Sequence, residues 1–141
     1  MELVQGSRIN QLELFAGCSK SELRSLDTLF THLVLAEGQV LIREGATAKE
    51  FIVIADGTAQ VTRQTSDGVV TVADVASGDF LGEMGLLNAS LRAATVTATS
   101  DLSVFVCSAS EFRSMLRIAP SVAEKIWQTS LVRAEGLAIA A

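Results

Sequence analysis

The stretch "GDFLGEMGLLNASLRAATVTA", residues 78–98, places an acid, Glu83, and a base, Arg92, among glycines, small residues and aliphatics. Strand-like text flanks it, "GDFL" before and "AATVTAT" after. Between them "GEMGLLNASL" breaks the two-residue period, and Met84, Leu86 and Leu87 fit one short helical turn better than a strand. Such a turn leaves its first amides unbonded, and Gly82 and Gly85 let another group approach the backbone closely. Free amides at a helix start attract anions. Arg92 then adds a permanent charge and a planar fork that matches two phosphate oxygens. The stretch reads as a pocket for one phosphate.

Glu83 would repel that phosphate unless the ligand also presents a hydroxyl donor nearby, as a ribose does. Glu83 then accepts from the sugar while Arg92 holds the phosphate. Ala93 and Ala94 have no bulk to obstruct the approach. An isolated buried ion is costly, so each charge implies a partner, and without ligand the two are expected to satisfy one another in part.

Outward from this stretch, a period of two runs from Thr31, punctuated by glycines at 38, 45, 57, 68, 78 and 82. Strands are predicted at "THLVL", "QVLIR", "EFIVIA", "TAQVTRQ", "VVTVADV", "AATVTAT" and "LSVFVCS". Short strands with frequent turns indicate a β-sandwich or barrel. Asp56-Gly57 and Asp67-Gly68 each lie between two strands and are read as tight hairpin turns.

Helices flank the strands. Ser19 and Glu22 form a capping-box pattern ahead of Leu23, Leu26, Leu29 and Phe30, and Ile9, Leu12 and Phe15 suggest a shorter helical piece upstream. Ser108 and Glu111 repeat the box before Phe112, Met115 and Leu116. Pro120 suits the first turn of a further helix carrying Val122, Ile126, Trp127 and Leu131, which Gly136 is expected to end, leaving "GLAIAA" as a frayed tail. The domain reading is one unit over residues 1–141: a helical lead-in over about 1–30, a barrel over about 31–107, and C-terminal helices over about 108–136.

Composition excludes several classes. At 141 residues the chain is long enough to bury a core, and 49% of it is hydrophobic against 19% charged, unlike a disordered segment. A net charge of -5 argues against broad binding of nucleic acid or anionic membrane, so any bound anion must be held by local charge. No apolar run reaches the roughly 18 residues of a membrane span, and Glu2 and Gln5 interrupt any signal-peptide start, so a cytoplasmic location is expected. Cys18 and Cys107 lack metal-binding spacing and read as buried free thiols, and the lone His32 reads as a sheet residue. Carboxylates show no paired spacing and no Ser or Cys has a histidine at hand, so no enzyme is indicated and no catalytic residue or metal ligand is assigned.

Residues 78–98 resemble the phosphate-binding cassette of the cyclic nucleotide-binding domain family: G-E, a few aliphatic or small residues, a variable loop, then R-A-A-T-V. "AEGQVLIREGATAKEFIVIADGTAQV" is similar to the family's strand, glycine and hairpin succession, so the resemblance covers roughly residues 12–120 in order. It implies a mainly β fold with flanking helices, in which a jelly-roll-like barrel holds the nucleotide and a helix after the barrel closes over the base. By position, Gly82 and Glu83 fall at the ribose 2′-hydroxyl, Met84 and Gly85 in the turn facing the phosphate, and Arg92 is the phosphate arginine. Ala93 stands where members preferring cGMP commonly place Thr or Ser, which leans toward cAMP. Gly85 in place of a frequent alanine, and Leu91 in place of a frequent proline, depart from the pattern.

The resemblance implies a regulatory module whose ligand is cAMP, with cGMP as second choice, and which needs no other cofactor. Arg133, ahead of Trp127 and Leu131, is the residue expected to cover the base by cation–π stacking. An effector protein or covalently linked effector domain is the implied partner, and a homodimer is compatible with the reading. Regulators of this barrel type append a helix-turn-helix, whereas this chain shows no basic recognition helix; contact with nucleic acid or membrane is not expected. The alternative is a degenerate, ligand-free barrel, in which Glu83 and Arg92 form a structural salt bridge and the domain serves protein interaction or dimerisation.

Overall fold

The computed structural model describes the backbone of residues 2–3 and 9–140 and the side chains of residues 9–134. In chain order the elements are β1 (Glu2–Leu3), two 3-10 turns (Ile9–Gln11, Glu13–Phe15), α1 (Lys20–Asp27), β2 (Thr31–Leu35), β3 (Val40–Ile42) and β4 (Glu50–Asp56). There follow β5 (Thr58–Thr65), β6 (Gly68–Ala76), β7 (Phe80–Leu81), α2 (Glu83–Asn88), β8 (Thr95–Ala98), β9 (Leu102–Ser108), α3 (Ala109–Ile118) and α4 (Pro120–Ala140). The strands form two antiparallel sheets, β1-β2-β9-β4-β7 and β3-β8-β5-β6. The expected jelly roll with flanking helices is the fold observed.

The two sheets differ because one is covered on both faces. In β4, Ile52 and Ile54 point between the sheets, where they meet Val96, Ala98, Leu102, Val104 and Val106. Phe51 and Val53 alternate to the opposite face and meet Phe15, Phe105, Phe112, Met115 and Ile126. A strand buried on both sides must be apolar throughout, which is why "FIVI" and "VFVC" read as continuous runs. The second sheet has solvent on one face, and β8 alternates half-buried Thr95 and Thr97 with buried Val96 and Ala98. Each fully buried aliphatic or aromatic side chain contributes about 1.5–3 kcal/mol.

Helix starts follow the capping boxes. Ser19 Oγ accepts from the Glu22 amide at 3.1 Å and Glu22 Oε1 accepts from the Ser19 amide at 2.8 Å; Ser108 and Glu111 do the same for α3. Pro120 opens α4, whose Val122 and Ile126 enter the core.

Several expectations are corrected. Asp56-Gly57 is not a hairpin turn, because β4 and β5 belong to different sheets and the chain there crosses from one to the other. Asp67-Gly68 does lie at the β5–β6 hairpin, where Thr65 pairs with Gly68. The lead-in, in part outside the described residues, adds an unexpected short strand, β1, while the short helical piece expected at Ile9, Leu12 and Phe15 takes the form of two 3-10 turns with those three residues buried. Gly136 does not end α4, whose backbone continues to Ala140. A glycine inside a helix costs about 1 kcal/mol relative to alanine, too little to stop a helix when no proline follows. The expected frayed tail is therefore helical over residues 136–140, and Ala141 lies outside the described residues. Cys107 is buried as expected, whereas Cys18 is only half-buried.

Candidate functional site

A cavity of about 380 Å³ opens on the inner face of the second sheet. Ile42, Val61, Val75 and Val96 supply its aliphatic wall, and Thr71, Val72 and Ala73 bring β6 along one side. The remaining lining includes Gly82, Glu83, Met84, Gly85, Arg92, Ala93, Ala94 and Arg133, the residues assigned to the ligand from the sequence. Trp127 and Leu131 are not part of it; they stand 54% and 53% exposed on α4.

The predicted short turn is α2, six residues long. Gly82 precedes it at φ +91°, a conformation that side chains rarely adopt, and as the cap residue it offers no side chain to the first amides. A Cβ on Gly82 would sit 2.7 Å from Arg92 Nη1 and 2.8 Å from the Glu50 carbonyl oxygen. Gly85 has a different constraint: a Cβ there would meet Ala48 Cβ at 2.6 Å. The neighbouring Ala48 accounts for glycine standing where alanine is frequent.

Arg92 is 9% exposed and is fixed by the barrel's own backbone. Its amide donates to the Ala46 carbonyl at 2.8 Å and its carbonyl accepts from the Gly45 amide at 2.9 Å. Its guanidinium donates through Nη1 to the Gly82 carbonyl at 2.8 Å and through Nη2 to the Glu50 carbonyl at 2.6 Å. These two contacts aim the fork and leave its other N–H groups without a protein acceptor among the described residues. Burial draws the guanidinium below its ordinary pKa, while the charges of Glu50 and Glu83 oppose that shift.

Glu83, the first residue of α2, is 1% exposed. Its Oε1 accepts from Arg133 Nη1 at 2.6 Å, whereas Oε2 is buried and has no partner. Burial pushes the carboxyl above the usual carboxylate value; Arg133, the residue's own amide and Arg92 pull it back. The expected mutual satisfaction of Glu83 and Arg92 is therefore corrected. Arg92 bonds backbone carbonyls, and the ion pair of Glu83 is made by Arg133 from α4. Two ions close in sequence are each held by a partner remote in sequence, because their surroundings are assembled from β4, α4 and the turn before α2.

Arg133 also lies over the Phe80 ring, its Cζ 4.8 Å from the centroid. Phe80, the Glu50 carbonyl and the β6 lining were not anticipated. A phenylalanine in a strand reads as core, and a backbone acceptor carries no residue-type signal at all. Thr71 has a weak signal, as a hydroxyl within the valine run of β6.

A deep cationic fork, uncapped amides and an unpartnered carboxylate oxygen around one cavity can hold an anion bearing a hydroxyl. The comparisons agree with that chemistry. The sequence model of the cyclic nucleotide-binding domain family matches residues 32–118. The chain is 36% identical over 115 residues to the acetyltransferase Pat of Mycolicibacterium smegmatis, covering 82% of this chain and 34% of that protein. It is 32% identical over 108 residues to a cAMP-dependent protein kinase regulatory subunit of Yarrowia lipolytica, covering 77% of this chain and 28% of the relative. The chain thus spans about a third or less of the length of these relatives. The catabolite activator protein of Thermus thermophilus superposes with a TM-score of 0.78 at 22% identity, covering 89% of this chain and 60% of that one, a likeness of fold. With the family match spanning the barrel, α2 and α3, the chain belongs to the cyclic nucleotide-binding domain family and is a regulatory domain of that kind.

Proposed function

We propose that this domain binds cAMP in preference to cGMP, and that ligand shifts α4 to signal to an effector. The carrying observation is the buried Arg92, aimed by two backbone carbonyls into a cavity that also holds the unpartnered Oε2 of Glu83. In this reading Arg92 and the first amides of α2, at Met84 and Gly85, take the cyclic phosphate. Gly82 and Glu83 take the ribose hydroxyl, and Ala93 and Ala94 leave room for the sugar-phosphate. Ala93 offers the base no hydroxyl, which favours adenine over guanine.

Movement of α4 requires that ligand interact differently with its two positions. The helix is suited to this. Its first half is anchored by Val122 and Ile126 in the core and by Lys125 Nζ donating to the Glu13 carbonyl at 2.9 Å. Beyond Ser130, by contrast, Leu131 and Val132 are exposed, and Arg133 reaches into the cavity. In the ligand-bound position Arg133 and its helix cover the purine. The proposed role is regulatory rather than catalytic, exerted on an effector protein or a linked effector domain, as the partial coverage of the relatives suggests.

A second reading, a ligand-free interaction or dimerisation barrel, is favoured by the exposed Trp127, Leu131 and Val132 on α4. Titration calorimetry with cAMP and cGMP in parallel separates the two. Heat with cAMP and weaker binding of cGMP supports the first; no heat from either, together with a defined oligomer, supports the second.

A further inference from the structure

Helix α2 has only six residues, and its third is Gly85, a poor helix former. What the glycine permits is a close seat. A Cβ on Gly85 would lie 2.6 Å from Ala48 Cβ, nearer than two carbons can stand, so the space between α2 and the segment 43–49 has room for a single methyl. The protein carries that methyl on Ala48, against bare backbone in the helix.

Ala48 is held in place from both sides. Before it, Thr47 bridges to Leu91, and the Ala46 carbonyl and Gly45 amide bond the backbone of Arg92. After it, the Lys49 carbonyl accepts from the Ala109 amide at 3.0 Å, and β4 begins at Glu50, whose carbonyl takes the Arg92 guanidinium. The segment that fixes Arg92 is therefore the one on which α2 rests. We infer that Ala48 is a positioning residue for the ligand site: its methyl, seated against Gly85, sets the spacing between α2 and Arg92, and so between the carboxylate of Glu83 and the cation. Ala48 is outside the cavity lining and acts through α2. The inference rests on the proposed reading of Glu83 and Arg92 as the sugar and phosphate contacts.

The test is a double-mutant cycle on the whole chain: wild type, Ala48→Gly, Gly85→Ala and the two changes together, read by cAMP affinity under conditions where a urea titration shows each variant folded. Gly85→Ala should push α2 off its seat and weaken binding about twentyfold, and Ala48→Gly, which leaves a methyl-sized gap, about fivefold. With both changes one methyl again fills the space, now from α2. Its Cβ would lie 3.2 Å from the Ser90 carbonyl oxygen, a contact that a small shift relieves, so affinity should return to within about twofold of wild type. Alanine at position 85 thus lowers affinity in the wild-type background and raises it in the Ala48→Gly background. Should Gly85→Ala fail to fold, the double variant must still bind more tightly than Ala48→Gly. A double variant that binds no better than Ala48→Gly would overturn the inference. Urea midpoints that move while every folded variant binds cAMP alike would reduce the contact to packing and overturn it too. The failures separate at wild type: a wild type that ignores cAMP sinks the ligand reading and the inference with it, whereas one that binds without the reversal sinks the inference alone.

Discussion

Helices α2 and α3 both follow a strand directly, yet they begin in opposite ways. At α3, Ser108 and Glu111 exchange bonds with each other's amides, and the helix runs ten residues with Phe112 and Met115 in the core. At α2 a left-handed glycine stands at the cap, with no capping side chain, and the helix lasts six residues. Helices this short do not persist alone, so α2 depends on its surroundings, chiefly the Arg92 bond to Gly82 and the Glu83 pair with α4. Under the proposed function the contrast has a reason: orphan amides are closed internally where a helix serves only the fold, and left open where an outside anion is to be met.

The largest effect that would break this contrast is at Arg92. Replacing it by leucine should weaken cAMP binding by about 2–5 kcal/mol, roughly thirtyfold to several thousandfold, because a desolvated phosphate loses its charge partner. Calorimetry retaining wild-type affinity would remove Arg92 from the site.

Next comes Gly82→Ala, which places a Cβ against Arg92 and the Glu50 carbonyl at a positive φ. The strain should cost about 1–3 kcal/mol in a urea titration and misalign the arginine, lowering nucleotide affinity as well. An unchanged urea midpoint and affinity would mean that α2 does not need its open start.

Ser108→Ala sharpens the contrast from the other side. Loss of the cap should cost about 1 kcal/mol, lowering Tm by roughly 2–4 °C, while cAMP affinity stays within about twofold. A large loss of affinity would show that α3 is not merely structural.

The smallest effect concerns pH. Burial leaves the Glu83 carboxyl above its ordinary value in the folded chain, so the native state holds this proton more tightly than the unfolded one. Its stabilising contribution is present below the unfolded value and lost as pH rises through the folded one. The difference in urea midpoint between wild type and Glu83→Gln should therefore shift toward wild type as pH falls through that window. A pH-independent difference would show that Glu83 carries no such shift.

Much of this was legible in the chain itself. The capping boxes were readable because both partners lie three residues apart, within one turn. The strands were readable where alternation or a continuous apolar run set the period. The end of α4 was not, since a single glycine competes weakly with helix-forming neighbours. Asp56-Gly57 misled because a positive-φ glycine serves equally well in a hairpin and in a crossover between sheets, and its local letters are the same in both. The cavity residues from position 82 to 94 were legible as a compact motif, whereas Phe80, Thr71 and the Glu50 carbonyl joined the site only through strand placement.

Glycine spacing, the short helical interruption and the identities of Glu83 and Arg92 are properties of neighbours along the chain, and they sufficed to mark residues that line one cavity on a β scaffold. Which partner each ion takes was decided only when the sheets closed and α4 came back over α2. Arg92 then found two carbonyls, and Glu83 found an arginine fifty residues away. Local geometry follows from local sequence because its bonds span a turn or less. The pairing of buried charges does not, because it depends on distances that exist only once the barrel has formed.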